Sequence, residues 1–296
     1  MATFILVPGA WHGAWAFEAV VPLLERAGHT VHALTLTGLW PEDDDATVAT
    51  ANLDTHADDV LRLLDRAHIT EATLVGHSYG GMVIAAAADR AGGRVARLVH
   101  LDAYVPRDGE SCWSSTSEGY REAFVAGAAG TGYAVQPSTG GDPRRRPHPL
   151  ASLLQGIRLT GAFAQVPRRE FVYCSGWEDK TPFADLRTRL RADPEWQVHD
   201  LPTVHNAMRE DPEAVAALLL GDEQRPGAAW VFHGVPGLVS EHRGPRAGLA
   251  LGASAPPPTR DLGPHPAALG PTGRRPDAIY HGGRGPERPH LPTAER

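Results

Sequence analysis

From Thr3 to about Leu220 the chain alternates short apolar runs with amphipathic stretches. The run Thr3–Val7 is apolar almost throughout and predicts a strand buried on both faces. Trp15–Ala27 places Val20, Val21, Leu23 and Leu24 at helical spacing, and Thr30–Leu36 predicts a second strand. Asp54–Arg66 predicts a helix, with Val60, Leu61 and Leu64 on one face and Asp54 at its start as a cap. Ala72–Gly76 is a third strand, Gly80–Ala91 a helix of small residues able to pack close to a sheet, and Leu98–Leu101 a fourth strand. Glu170–Cys174, the helix Asp185–Arg191, the strand Trp196–Leu201 and the helix Pro212–Leu220 complete the series. Strand–helix alternation of this kind predicts an α/β fold, with a mostly parallel six-stranded sheet and helices on both faces. In such sheets chemistry gathers beyond the carboxyl ends of the strands.

The rhythm breaks twice. Residues 105–167 carry Trp113, Tyr120, Phe124 and Phe163 among glycines and prolines, with the basic run Arg144–Arg146. The stretch is too long for a connection, and it predicts a helical cap inserted after the fourth strand. The four aromatics are the candidate substrate-binding residues, and the arginine run reads as a solvated turn. After Gly221 the periodicity ends; residues 222–296 hold 13 of the 26 prolines and too few apolar residues to build a core. This composition predicts a disordered tail behind a folded domain of residues 1–221.

Composition narrows the function. A net charge of −7 leaves no basic surplus for nucleic acid or anionic lipid. Two cysteines, Cys112 and Cys174, cannot make a disulfide framework and read as free thiols. No run approaches the length of a membrane span, and the N-terminal MATFILVPGAW lacks the basic start of a signal peptide. The expectation is a soluble cytoplasmic protein with no metal and no cofactor.

The strongest chemical signal is Gly76-His77-Ser78-Tyr79-Gly80. A serine centred in G-x-S-x-G, after a strand and before a helix, is a nucleophile elbow. The turn is tight enough that side chains two residues either side would collide, and glycines remove them. The loop Val7-Pro8-Gly9-Ala10-Trp11-His12-Gly13 leaves the first strand beside this elbow. Its small residues let backbone N–H groups approach a substrate oxygen, so Ala10 and Tyr79 are the candidate oxyanion donors. Of 15 histidines, His205 alone lies between the last strand and the last helix, where the order serine, acid, histidine requires the base. His12 reads as a loop-packing residue, His77 as a structural one and His56 as surface or packing. The acid is open among three carboxylates: Asp179, after the strand ending at Cys174, is preferred, its neighbour Glu178 is the near rival, and Asp102 is the third choice.

Several segments resemble one family. Gly9-Ala10-Trp11-His12-Gly13-Ala14-Trp15, Gly76-His77-Ser78-Tyr79-Gly80-Gly81 and Val204-His205-Asn206-Ala207-Met208 are similar to the methylesterase and hydroxynitrile lyase group of α/β hydrolases. Leu34–Leu39, Thr55–Val60 and Leu101–Pro106 resemble its bacterial subgroup. The resemblance covers about residues 3–220. It implies an α/β-hydrolase fold with a helical cap over the serine, no metal and often a homodimer. The group's lyases carry a threonine in the oxyanion loop and a lysine after the catalytic histidine; Gly9 and Asn206 stand here and favour ester hydrolysis. Pro8 departs from the histidine of the plant enzymes. The expected protein is a serine hydrolase of a small ester or thioester, a carboxylesterase acting through an acyl-enzyme. Alternatives from the same pocket are acyl transfer in secondary metabolism, cyanohydrin-type C–C cleavage and a non-catalytic small-molecule receptor.

Overall fold

The computed structural model describes residues 1–177 and 181–221. Asp179, its neighbour Glu178 and the whole of residues 222–296 lie outside the described residues, so the expected tail falls there too. Eight strands occur among the described residues: β1 (Thr3–Val7), β2 (Thr30–Ala33), β3 (Ala72–His77), β4 (Val95–Leu101), β5 (Ala134–Val135), β6 (His148–Pro149), β7 (Arg168–Cys174) and β8 (Gln197–Leu201). Six of them form one sheet in the order β2-β1-β3-β4-β7-β8, every neighbouring pair parallel. The strands run outward in both directions from β1 and β3, so the loops after β1 and β3 leave the sheet side by side. That adjacency puts the Gly9–Gly13 loop next to Ser78.

The helices are α1 (Val21–Arg26), α2 (Asp45–Thr50), α3 (Leu53–Arg66), α4 (Gly80–Arg90), α5 (Cys112–Ser115), α6 (Glu118–Ala128), α7 (Leu150–Leu154), α8 (Ala184–Arg191), α9 (Ala207–Glu210) and α10 (Pro212–Leu220). Successive strand side chains point to opposite faces, and each face has its own core. Ile5, Leu74, Leu98 and Phe171 pack with Val60, Leu64 and Met82 on the face covered by α3 and α4. Phe4, Leu6, Val75, Val99 and Val172 pack with Leu24, Val215 and Leu218 on the face covered by α1 and α10. Inside the sheet Arg97 of β4 forms a two-point ion pair with buried Glu170 of β7, at 2.7 and 2.8 Å, and also donates to the Leu218 and Leu219 carbonyls. The pair ties the end of α10 to the middle of the sheet.

Two local details differ from the sequence expectation, and one agrees with it. The stretch Trp15–Ala27 is two pieces, a 3₁₀ turn at Ala14–Phe17 and then α1, because Pro22 suits a helix start and not its interior. Helix α3 is capped by Asn52 and not by Asp54. Asn52 accepts from Thr55 N–H at 3.0 Å while Thr55 Oγ1 accepts from Asn52 N–H, a reciprocal capping box. The inserted segment 105–167 does contain helices α5, α6 and α7, joined by the antiparallel pair β5 and β6. Among the described residues no helix is long and apolar enough to cross a membrane.

Candidate active site

Ser78 sits between β3 and α4 with a φ of +53°, the left-handed region a non-glycine residue enters only when its surroundings impose it. The imposition is visible. A Cβ on Gly76 would lie 2.5 Å from the Gly80 carbonyl oxygen, and one on Gly80 would lie 2.5 Å from the Val7 carbonyl oxygen. The turn is pinned by Ser78 N–H to Leu101 O at 3.3 Å, and by Gly81 and Tyr104 N–H groups donating to Ser78 O at 3.0 and 3.2 Å. The serine hydroxyl is thereby presented at the start of α4, where the helix dipole favours negative charge.

The imidazole of His205 enters from the loop after β8. Its Nδ1 lies 2.7 Å from Asp102 Oδ2. Asp102 directly follows β4, is fully buried and has a φ of +43°. Its N–H donates to Val172 O at 2.7 Å, and its other carboxylate oxygen accepts from Cys174 N–H at 3.1 Å. Asp102, ranked third from the sequence, therefore stands against His205 Nδ1, in the place expected of Asp179. The contact keeps the proton on Nδ1 and leaves Nε2 with its lone pair. Rings of Trp177 and His77 flank the imidazole at 4.5 and 4.6 Å, and His77 Nε2–H donates to the His205 carbonyl at 2.9 Å. His77 is thus the structural histidine expected.

Ala10 and Tyr79 are both at the elbow, and among the described residues neither backbone N–H has an acceptor. Gly9 is needed here: a Cβ would lie 2.8 Å from Ser78 Cβ. The two donors are held by a buried network that sequence reasoning missed. His56 Nε2–H donates to Thr37 O at 2.8 Å, so its Nδ1 accepts from the Tyr79 hydroxyl at 2.8 Å. His148 Nδ1 accepts from Trp11 N–H at 3.3 Å, and its Nε2–H donates to Ser152 Oγ at 2.9 Å. Burial pushes both histidines below the ordinary imidazole range, which keeps them neutral in these roles. His12 packs in the loop as expected, its Nδ1 2.7 Å from Ala10 O, and burial lowers it to about 4. The sequence offers only the histidines themselves, His56 and His148, which does not reveal what each bonds to.

Ser78, His205, Ala10 and Tyr79 open on one cavity of about 570 Å³ under the cap. Tyr120 and Phe124 of α6 line it, as expected, together with Trp11 and Leu153. Trp113 and Phe163 do not. Phe163 packs against His100 and Trp196 at ring distances of 6.1 and 6.3 Å, and Trp113 packs against the core shared by the cap and the α3–α4 face of the sheet. Cys112 also borders the cavity, but burial pushes its thiol up to about 12, so it stays protonated and is no rival nucleophile. Among the described residues no group of three or more His, Cys, Asp or Glu side chains is gathered as a metal site.

Residues 2–193 match the family model of the alpha/beta hydrolase fold. The chain is 33% identical over 240 residues to the carbendazim hydrolyzing esterase of Nocardioides sp. (strain SG-4G), covering 74% of this chain and 98% of that protein. It is 34% identical over 104 residues to Methylesterase 2 of Arabidopsis thaliana, covering 35% of this chain and 40% of that protein. An extracellular α/β-hydrolase from a Paenibacillus species shares the fold, with a TM-score of 0.66 at 20% identity, over 75% of this chain and 98% of its own. The chain belongs to the α/β-hydrolase family, within the group that holds methylesterases and hydroxynitrile lyases. It is a hydrolase of the esterase type.

Proposed function

We propose that the protein hydrolyses small carboxylic esters through an acyl-enzyme on Ser78, with His205 as base and Asp102 as the acid that orients it. The observation that carries this reading is the 2.7 Å contact between His205 Nδ1 and Asp102, on an imidazole that shares its cavity with Ser78. His205 Nε2 takes the Ser78 proton as Oγ attacks the ester carbonyl. The N–H groups of Ala10 and Tyr79 stabilise the tetrahedral oxyanion. On collapse the imidazolium returns its proton to the leaving alcohol, leaving the acyl group on Ser78. A water then repeats the sequence, deprotonated by His205, and the acid departs. The largely apolar walls supplied by Trp11, Tyr120, Phe124 and Leu153 favour an aromatic or aliphatic group on the substrate. A p-nitrophenyl ester series of increasing acyl length tests the reading. Turnover that peaks at a short or medium acyl chain is expected; no turnover of any member by folded protein would refute it.

A further inference from the structure

The run Arg144–Arg146, expected to be a solvated turn, divides into three different environments. Arg144 is exposed and paired with Glu18, at 2.7 and 2.9 Å, and with Asp142 at 2.9 Å. Arg146 reaches the Pro41 carbonyl at 3.4 Å. Arg145 is half-buried and borders the active-site cavity. Its two terminal nitrogens donate to Ser138, to the carbonyl at 2.6 Å and to Oγ at 3.3 Å, and its Nε is buried without a partner. Among the described residues no carboxylate lies within ion-pair distance of it. Nor does the cavity lining include an aspartate or glutamate. Of the other imidazoles on the lining, burial keeps His12 and His77 neutral. The arginine is fixed in place, because Arg146 N–H donates to Trp11 O at 3.0 Å and so docks this segment onto the oxyanion loop.

A guanidinium bordering a largely apolar cavity without a counter-ion is an unbalanced charge, and the terminal N–H groups it does not spend on Ser138 can donate to a carboxylate. We propose that Arg145 recognises an anionic group of the substrate, so that the preferred esters carry a carboxylate remote from the scissile bond. This rests on the ester-hydrolase reading above. The chain's overall net charge is −7, so long-range attraction does not favour anions; the recognition is local to this side chain.

The test compares monomethyl esters of the straight-chain diacids from succinate to adipate with methyl esters of the matching monoacids. O-acetyl ω-hydroxy acids form a second arm, in which the carboxylate sits on the alcohol side. In the wild type one arm should exceed its neutral counterparts in kcat/KM. Arg145→Gln should cut that selectivity ratio by about tenfold to a hundredfold, the range for a hydrogen bond to a charged partner, and mainly through KM. Arg145→Lys should restore part of it. A ratio that is the same in wild type and Arg145→Gln overturns the proposal. Calorimetric binding of each half ester to Ser78→Ala, with and without Arg145→Gln, needs no turnover. Binding that weakens with the arginine change and with added salt supports the anion site even if no ester is hydrolysed, in which case the hydrolase reading alone fails. Equal binding in both backgrounds overturns the anion site whatever the turnover.

Discussion

Replacing Asp102 with asparagine alters one atom type and almost no volume. Asp102 accepts two hydrogen bonds in a fully buried site, from Cys174 N–H at 3.1 Å and from His205 Nδ1–H at 2.7 Å. An amide has one oxygen to offer. If that oxygen keeps the backbone donor of Cys174, the amide NH₂ faces His205 Nδ1 and favours the tautomer protonated on Nε2. That imidazole cannot accept the Ser78 proton. The expected loss in kcat is about 10⁴, equivalent to about 5.4 kcal/mol at 1.36 kcal/mol per decade. The assay is steady-state hydrolysis of the best p-nitrophenyl ester, with circular dichroism and a melting curve to show that the fold survives. KM should change far less than kcat, because the carboxylate does not touch substrate. Activity within tenfold of wild type in Asp102→Asn, with a severe loss in Asp179→Asn, would refute the reasoning and return the acid to the loop after β7.

Tyr79→Phe removes the hydroxyl that donates to His56 and leaves a buried acceptor unpaired, at a cost of about 1–3 kcal/mol in stability; kcat should fall more than KM rises, and unchanged kinetics would show that the network does not position the oxyanion donor. Glu170 is buried, which opposes its charge, but His199, Arg97 and Arg168 outweigh burial and hold it at about 2, below its ordinary 4.5. A depressed carboxyl stabilises the fold above its unfolded value and loses that contribution as pH falls through the folded one. Glu170→Gln should therefore cost about 3–5 kcal/mol near neutrality, as for a broken buried pair, with the gap to wild type narrowing below about pH 4.5; denaturation curves showing a constant gap would count against the ion pair. Mandelonitrile cleavage should be negligible beside ester turnover, because neutral Asn206 supplies no positive charge for the departing cyanide; comparable rates by cyanide release would contradict this.

Much of the fold was legible because each strand of a parallel sheet covered on both faces must be an apolar run, and those runs stand out in β1, β3 and β4. The elbow was legible for a steric reason: few backbones tolerate the contacts at Gly76 and Gly80, so the glycine spacing marks the turn. His205 followed from chain order alone. The acid did not, because Asp102 and Asp179 both lie after an apolar run and before His205 in the sequence, and chain order does not rank them. Asp102 meets His205 from a backbone with a φ of +43°, and that conformation leaves no mark in composition. Cap residues failed for a related reason. Tyr120 and Phe124 share one face of α6 four residues apart and reach the cavity, whereas Trp113 and Phe163 sit on other pieces of the insertion whose docking no periodicity encodes. Arg145 was hidden within a run of identical residues, of which only one faces the cavity.

The most direct test of Ser78 as the acylated nucleophile is intact-protein and peptide mass spectrometry after brief acid quench during turnover of a slowly deacylated ester. A mass increase equal to the acyl group, on the peptide containing Ser78 and absent in Ser78→Ala, is expected, together with a loss of kcat on the order of 10⁶ in that variant. Ester hydrolysis by Ser78→Ala within tenfold of wild type, or an acyl adduct mapped to another residue, would contradict the mechanism.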